Sequence, residues 1–579
     1  MTILETINQP ADLKTLTSNQ LEALADEVRA LVLDKVSKVG GHVGPNLGTV
    51  ELTIALHKVF NSPIDKIVWD VSHQSYPHKI LTGRKNGFVD GHFHDITGYT
   101  SQHESEHDFF TVGHTSTSIA NAMGLAHARD LTGATGNVIA VIGDGSLSGG
   151  LAFEALNNAG EFDGNLIVIV NDNEMSIAEN HGGLYPHLAK LRESNGTAAN
   201  NIFTSLGLDY HYIAAGNSID ALITGLESVK DTTKPVVLHI HTEKGHGYAP
   251  AVANKEKFHW SAPFELATGL TNPGTPGESY TEMILDYMGE KVDSGMPLVA
   301  INAAIPGLMN LKSFAAKYPK NYKDVGIAEQ YSITYGQALA AGGARPFIFH
   351  NSTFLQRAYD QLSHDLAINE YPAIVIVKGG VINGSDKTHQ GSMAIGMISN
   401  IPNLVYLAPT SAEELLAMLD WATAQTAQPV VIQLPEHGVE HRSSRLTDFS
   451  KPVYDVIENG ADVAILGLGG FYNLAEKAAA ELEKSGIKAS LVNPLFISQL
   501  DETALLELAK THKVIVTLED GVLDGGFGQK VAGFLGQSDV KVLNFGAKKE
   551  FNDSVPVAEL YQRYHLTPEL IASDVLESL

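Results

Sequence analysis

In the stretch VIAVIGDGSLSGG (138–150) a single carboxylate, Asp144, stands between Gly143 and Gly145 at the end of an apolar run. An aspartate there sits at the carboxyl end of a strand, the edge where open parallel sheets bind ligands. The next apolar run, LIVIV (166–170), leads into NDNEMSI and places Asn173 29 residues after Asp144. That separation is one strand–helix–strand unit, so the two side chains can converge. A carboxylate, an amide oxygen and a nearby main-chain carbonyl form a partial oxygen shell. Mg²⁺ favours such a shell when phosphates of a ligand complete its octahedron. Gly143, Gly145, Gly149 and Gly150 let backbone approach a diphosphate and turn N–H groups toward it. The competing reading is a turn aspartate that caps the following helix; Asn173 at the matching strand end favours the metal. The two common nucleotide loops, G-x-x-x-x-G-K-[ST] and G-x-G-x-x-G, do not occur.

The elements that must position these residues are short β-rich runs alternating with helical patterns. NVIAVI (137–142), LIVIV and PVVLHIH (235–241) form one group. PLVAI (297–301), PFIFH (346–350), AIVIV (373–377), LVYLA (404–408) and PVVIQ (429–433) form a second. DVAIL (462–466), KASLV (488–492), KVIVTL (513–518) and VKVLNF (540–545) form a third. Such alternation predicts parallel α/β sheets, here three Rossmann-like domains over 1–270, 280–445 and 453–579. The linkers are expected over 268–280 and 436–452. The stripe LLAMLDWATA (415–424) reads as a buried helix face.

Composition narrows the function classes. The 579 residues, 44% hydrophobic and 18% charged, describe a globular protein with several cores. Asp and Glu number 66 against 39 Lys and Arg, a net charge of −27. A surface that acidic repels nucleic acid and anionic membrane, so neither is an expected partner. An anionic ligand must then be received by local cations, a metal or backbone N–H groups. The chain has no cysteine, which excludes disulfides, thiolate metal sites and cysteine nucleophiles. Neither a signal peptide nor a membrane span is legible, and a cytoplasmic location is the expectation.

Further motifs narrow the reading. GGHVGPNLGTVELTIALHKVF (40–60), WDVSHQSYPHKILTGR (69–84), GHTSTSIANAMGLAHAR (113–129), DVGIAEQ (324–330), STFLQRAYDQ (352–361) and THQG (388–391) accompany the GDG–Asn pair. In this order they closely resemble the 1-deoxy-D-xylulose-5-phosphate synthase family, a thiamine diphosphate-dependent branch of the transketolase superfamily. The resemblance runs along essentially the whole chain. It implies a diphosphate-binding domain, a pyrimidine-binding domain and a C-terminal transketolase domain. It also implies a homodimer with the cofactor cleft between the first two domains. The segment between NDNEMSI and HIHTEKGHGY looks shorter than in typical members and is a loop in the family.

The resemblance implies thiamine diphosphate and Mg²⁺ as cofactors, with pyruvate and an aldehyde acceptor, D-glyceraldehyde 3-phosphate, as substrates. It assigns Asp144, Asn173 and Met175 to the metal. It assigns His73, Gly113, His114, Thr115, Gly143, Gly145, Ser146, Asn173, Met175, Lys244, Glu329 and Phe354 to the cofactor. Thiamine chemistry requires removal of the C2 proton, and a carboxylic acid beside pyrimidine N1′ lets the cofactor serve as its own base. Glu329 takes that role by the match; the plain alternative is a glutamate favoured by a helix dipole. His42, His73 and His389 are the catalytic histidines implied, with His114 beside the diphosphate, since imidazoles move protons near pH 7. Each could instead be a structural hydrogen-bonder, and Phe354 could be core. His246 stands where the family carries Lys or Arg beside Lys244. Substrate contacts are expected from His42, Asn351, Arg357, Lys378 and His389. Three of the family's acceptor-phosphate positions are altered: Asn351 replaces a tyrosine, Lys378 an arginine, and Glu436 stands near the third expected arginine, beside His437. Lys378, Arg357 and His437 could rebuild a weaker pocket; a smaller or unphosphorylated aldehyde is the expectation that follows.

Overall fold

The computed structural model describes residues 2–272 and 277–579, so part of the linker expected over 268–280 lies outside the described residues. The chain divides into two compact units, one carrying the first sheet and one carrying the second and third.

The first sheet is wholly parallel, in the order β1-β2-β3-β5-β4. Its strands are β1 (Lys66–Trp69), β2 (Val138–Gly143), β3 (Ile167–Asp172), β4 (Asp209–Ile213) and β5 (Val236–His241). The alternation of side chains explains why β2 reads as an unbroken apolar run. Val138, Ala140 and Ile142 join a core with the Ser118–Thr132 and Gly150–Ala159 helices. Ile139 and Val141 face the opposite way, against Leu52, Leu56, Leu222 and Leu226. The register Gly143↔Asn171 sets the two loops after β2 and β3 side by side.

The second sheet, also parallel, runs β10-β11-β9-β8-β6-β7. It consists of β6 (Leu298–Asn302), β7 (Tyr322–Asp324), β8 (Arg345–Asn351), β9 (Ile374–Lys378), β10 (Val405–Leu407) and β11 (Val430–Gln433). The third runs β12-β14-β13-β15-β16, from β12 (Asp455–Glu458), β13 (Asp462–Gly467), β14 (Ser490–Asn493), β15 (His512–Val522) and β16 (Lys541–Ala547). Here the parallel expectation needs one correction, because β12 pairs antiparallel with β14. Ile301, Ile348 and Val375 of the second sheet share one apolar cluster with Ala464, Leu466 and Ile515 of the third. Backbone also joins them: Ala408 N–H donates to Leu495 O and Ile497 N–H to Tyr406 O, both at 2.8 Å.

Four strands are additions to the sequence reading, and all four are edges: β1, β4, β7 and β12. β4, β7 and β12 have no continuous buried run to betray them, whereas β1 (KIVW) buries Ile67, Val68 and Trp69 and is passed over for its shortness. DYHYI of β4 has no fully buried residue. The segment expected as a loop after NDNEMSI is instead folded. It carries the Leu184–Glu193 helix, which buries Leu188 and Leu191, then β4 and the Ile219–Val229 helix. The 415–424 stripe is a buried helix face: Leu415, Met418, Leu419 and Ala422 are buried in the Ala412–Ala424 helix. Among the described residues no helix is long and apolar enough to cross a membrane.

Candidate active site

The loops at the carboxyl edge of the first sheet gather around Asp144. It opens the short Asp144–Leu147 helix directly after β2 and is buried. Its carboxylate receives the Nδ2 of Asn180 at 2.7 Å and a backbone N–H from Asn173. Burial, reinforced by the neighbouring Asp172 charge, pushes Asp144 up to about 7. Asp172 itself stays low despite its own burial, because His239 and Arg192 bond it at 3.0 and 2.5 Å. The Oδ1 atoms of Asn173 and Asn180 are both buried and meet no donor. Buried amide oxygens are normally paired, and these two fit a cation beside Asp144. Among the described residues no three or more His, Asp or Glu side chains cluster to hold a metal. One carboxylate with amide and carbonyl oxygens fits a hard cation whose shell phosphates complete.

The loop is close-fitting where glycine stands. A Cβ on Gly145 would lie 2.8 Å from the Ser176 side chain, and one on Gly149 2.1 Å from Ser116 Oγ. These two contacts draw the loops after β2, after β3 and at 113–118 together. Gly143 is different: a Cβ there would meet nothing within 4 Å, so no protein neighbour requires its being glycine. Ser146 is fixed through its carbonyl, which accepts from Ser116 Oγ at 2.7 Å. The loop with Gly113, His114 and Thr115 is aimed by Asp70, a buried carboxylate after β1 that receives the N–H groups of Ser116 (2.7 Å) and Ser118 (2.9 Å). Asp70 and Asn180 are positioning residues the sequence reading missed. Asp70 shared the cue that found Asp144, a carboxylate at a strand's carboxyl end.

A basic cluster completes the first unit. The rings of His42 and His73 lie 5.0 Å apart, and His259 stands 5.5 Å from His42 and 5.1 Å from His73. Lys244 is buried, donates to the Ser176 carbonyl at 2.5 Å and meets His259 Nδ1 at 3.0 Å. Burial pulls Lys244 down to about 7, and burial with the Lys244 charge beside it holds His259 well below its ordinary value. His259 is therefore the neutral acceptor of a lysine N–H. His259, in KFHW, was not singled out from the sequence; it lies 15 residues beyond Lys244 and only the fold joins them. Met175 makes an isolated bridge with Glu179 in the loop after β3. His246 does not join Lys244: it pairs with Glu243 at 2.9 Å on the exposed side.

In the second unit Glu329 opens the Glu329–Ala341 helix and is 7% exposed. Burial raises its carboxyl above the ordinary range, opposed by Arg357 at 4.0 Å. Phe354 and His389 are brought together, ring centroids 5.7 Å apart and perpendicular. His389 Nδ1 lies 3.2 Å from Asp386, and that bond keeps Asp386 low against its burial. Asp386, two residues before the THQG motif, is a further residue the sequence reading passed over.

The altered acceptor positions are dispersed among separate partners. Asn351 ends β8 and caps the Ser352–Leu355 helix, accepting from Thr353 N–H at 3.1 Å. Lys378 ends β9 and donates to Leu308 O at 3.3 Å. Glu436 accepts the N–H of Gly379, next to Lys378, at 2.7 Å. His437 is drawn to the third sheet, 2.7 Å from Asp520, and that bond raises it. Lys378, Arg357 and His437 thus turn to a carbonyl, to Glu329 and to Asp520.

A family model described as 1-deoxy-D-xylulose-5-phosphate synthase matches residues 4–200. The transketolase pyrimidine binding domain matches 278–440, and the transketolase C-terminal domain 454–571. The 1-deoxy-D-xylulose-5-phosphate synthase of Pelotomaculum thermopropionicum is 39% identical, covering 99% of this chain and 97% of the relative. That of Geobacter sulfurreducens, numbered 1, is 38% identical over 96% of this chain and 94% of the relative. The Clostridium acetobutylicum enzyme is 37% identical over 99% of both. Matched along nearly its whole length, the chain belongs to the 1-deoxy-D-xylulose-5-phosphate synthase family.

Proposed function

We propose that this protein is a thiamine diphosphate- and Mg²⁺-dependent carboligase that joins pyruvate to D-glyceraldehyde 3-phosphate, releasing CO₂ and forming 1-deoxy-D-xylulose 5-phosphate. The observation that carries the reading is the Asp144 site: one buried carboxylate with two buried amide oxygens that meet no donor, at adjoining strand ends. When bound, thiamine diphosphate supplies the electron sink for decarboxylating a 2-oxo acid and attaching its remnant to an aldehyde.

The chain's own residues bind, orient and move protons. Asp144, Asn173 and the Met175 carbonyl would hold Mg²⁺. Lys244, His73, His114, Thr115 and the N–H groups around Gly113, Gly145 and Ser146 would receive the diphosphate. Phe354 would give the pyrimidine an apolar face. Glu329, its carboxyl raised above the ordinary range by burial, would share a proton with pyrimidine N1′. His42 and His389, the latter held by Asp386, would exchange protons with the substrates' oxygens.

The acceptor end is weaker. With Lys378, Arg357 and His437 turned to separate partners and Glu436 beside Lys378, the chain offers an aldehyde's phosphate a poor cradle. A homodimer remains the expected assembly. Leu151 and Phe153 on the helix after Asp144, and Tyr331 on the Glu329 helix, are exposed apolar residues that a second copy would cover. Sedimentation equilibrium at micromolar concentration tests it.

The activity itself is tested by CO₂ release from pyruvate, followed with and without aldehyde. Aldehyde-stimulated release is the expected result. Ketol transfer from a sugar donor with no CO₂ from pyruvate would overturn the reading.

A further inference from the structure

Beneath Glu329 lies a buried polar pair that the activity described above does not use. His350 is the second-last residue of β8 and is 1% exposed; Ser332, in the first turn of the Glu329–Ala341 helix, is wholly buried. His350 Nε2 lies 2.7 Å from Ser332 Oγ, and Ser332 Oγ lies 2.6 Å from the carbonyl oxygen of Glu329. A hydroxyl has one proton. A carbonyl only accepts, so at 2.6 Å that proton must be on the Ser332–Glu329 line. Ser332 Oγ then accepts, and His350 must donate from Nε2. Its Nδ1 is left as a buried lone pair with no partner. Burial lowers His350 to about 4, so the ring is neutral at pH 7.

The helix is seated tightly here. One turn on, a Cβ at Gly336 would lie 2.4 Å from Ile348 Cδ1, two residues before His350 on the same face of β8. Strand and helix therefore meet at two stacked points, Ser332 on His350 and Gly336 on Ile348. Only the first is directional. A buried imidazole with an unpaired nitrogen costs stability that an aliphatic residue at this strand position would not.

We propose that His350 is a positioning residue for the reaction: through Ser332 it fixes the carbonyl of Glu329, and so the first turn of the helix and the aim of the Glu329 carboxyl. This rests on the reading of Glu329 as the acid that serves the cofactor. No proton moves through the pair, and neither residue touches substrate.

The test measures deuterium exchange at C2 of thiamine diphosphate in the Mg²⁺-loaded full-length enzyme, with cofactor affinity by calorimetry and kcat and KM for pyruvate. His350→Leu and Ser332→Ala should each slow exchange and lower kcat about tenfold, with cofactor affinity and pyruvate KM within about threefold of the parent, and the double variant should be no slower than either single one. His350→Gln, which presents an N–H at similar reach, should restore most of the rate. Exchange at the parental rate in Ser332→Ala, or losses that multiply in the double variant, overturn the proposal. So does a loss of thermal stability alone, with exchange unchanged. If His350→Leu does not fold, Ser332→Ala against His350→Gln carries the comparison. Glu329→Gln run alongside separates the two readings: parental exchange there removes the role of Glu329 itself, whereas slow exchange there with parental Ser332→Ala removes only the link through His350.

Discussion

Replacing Glu329 by glutamine keeps the side chain's shape and removes its proton chemistry, and the surroundings of Glu329 allow the two consequences to be separated. The ion contact with Arg357 is 4.0 Å long and Arg357 is partly exposed, so its loss costs about 0–1 kcal/mol. Loss of a negative charge at the helix N-terminus costs a further 0.3–1 kcal/mol or so. Against these stands relief of the burial penalty that raises the carboxyl. Net stability should therefore change by about 1 kcal/mol or less, a Tm shift of about 2 °C or less for a unit of this size. Catalysis should respond on another scale. A positioned acid–base group contributes about 10²–10⁴-fold, equivalent to roughly 2.7–5.5 kcal/mol of barrier. Deuterium exchange at C2 of the bound cofactor, quenched and read by proton NMR, reports that step without the acceptor. Calorimetry on the same sample shows that thiamine diphosphate still binds. Exchange within threefold of the parent, with the cofactor bound, would refute the assignment of Glu329.

Asp144→Ala should abolish Mg²⁺-dependent thiamine diphosphate binding while leaving a folded protein, because the cation loses its only charged protein ligand; unchanged affinity by titration calorimetry contradicts this. Gly149→Ala places a Cβ 2.1 Å from Ser116 Oγ and should weaken cofactor binding by separating the two loops, whereas parental affinity would show the contact to be dispensable. Steady-state kinetics with glyceraldehyde and glyceraldehyde 3-phosphate should show less than a hundredfold gain in kcat/KM from the phosphate, under about 2.7 kcal/mol; a larger gain means that the acceptor cradle is intact. His437 is raised by Asp520 above its ordinary 6.5, so the pair stabilises the fold fully below pH 6.5 and loses that contribution as pH rises through the raised value. The Tm advantage of the parent over His437→Gln should shrink as pH climbs from 6 to 9; an advantage that grows contradicts the pairing.

Central strands were legible because both faces are covered. The runs at 138–142, 166–170 and 374–377 are apolar at every position, and no turn chemistry is needed to find them. DYHYI of β4 is half exposed and polar at alternate positions, and β7 is three residues long, so neither rises above a loop. The antiparallel β12 depends on where the chain returns to β14, a tertiary fact. Among site residues, Asp144 and Asn173 were findable because strand ends and their spacing can be read from one sequence. His259 was not, since its place beside Lys244, His42 and His73 comes from folding segments that share no local pattern. The pair His350 and Ser332 is hidden for the same reason: a histidine in PFIFHN and a serine in EQYSI become partners only when strand and helix pack. Motif reading also assigned charges without their partners. Lys378, Arg357 and His437 looked like one pocket on paper, and each has its own acceptor in the fold.

The most direct test of the central claim is the identity of the product. The protein is incubated with Mg²⁺, thiamine diphosphate, pyruvate labelled at its two non-carboxyl carbons, and glyceraldehyde 3-phosphate or glyceraldehyde, and the products are resolved by mass. The account predicts a five-carbon ketose bearing both labelled carbons, formed with one CO₂ per product and lost in Asp144→Ala and Glu329→Gln. A product lacking the label, or labelled ketose formed undiminished by both variants, contradicts it.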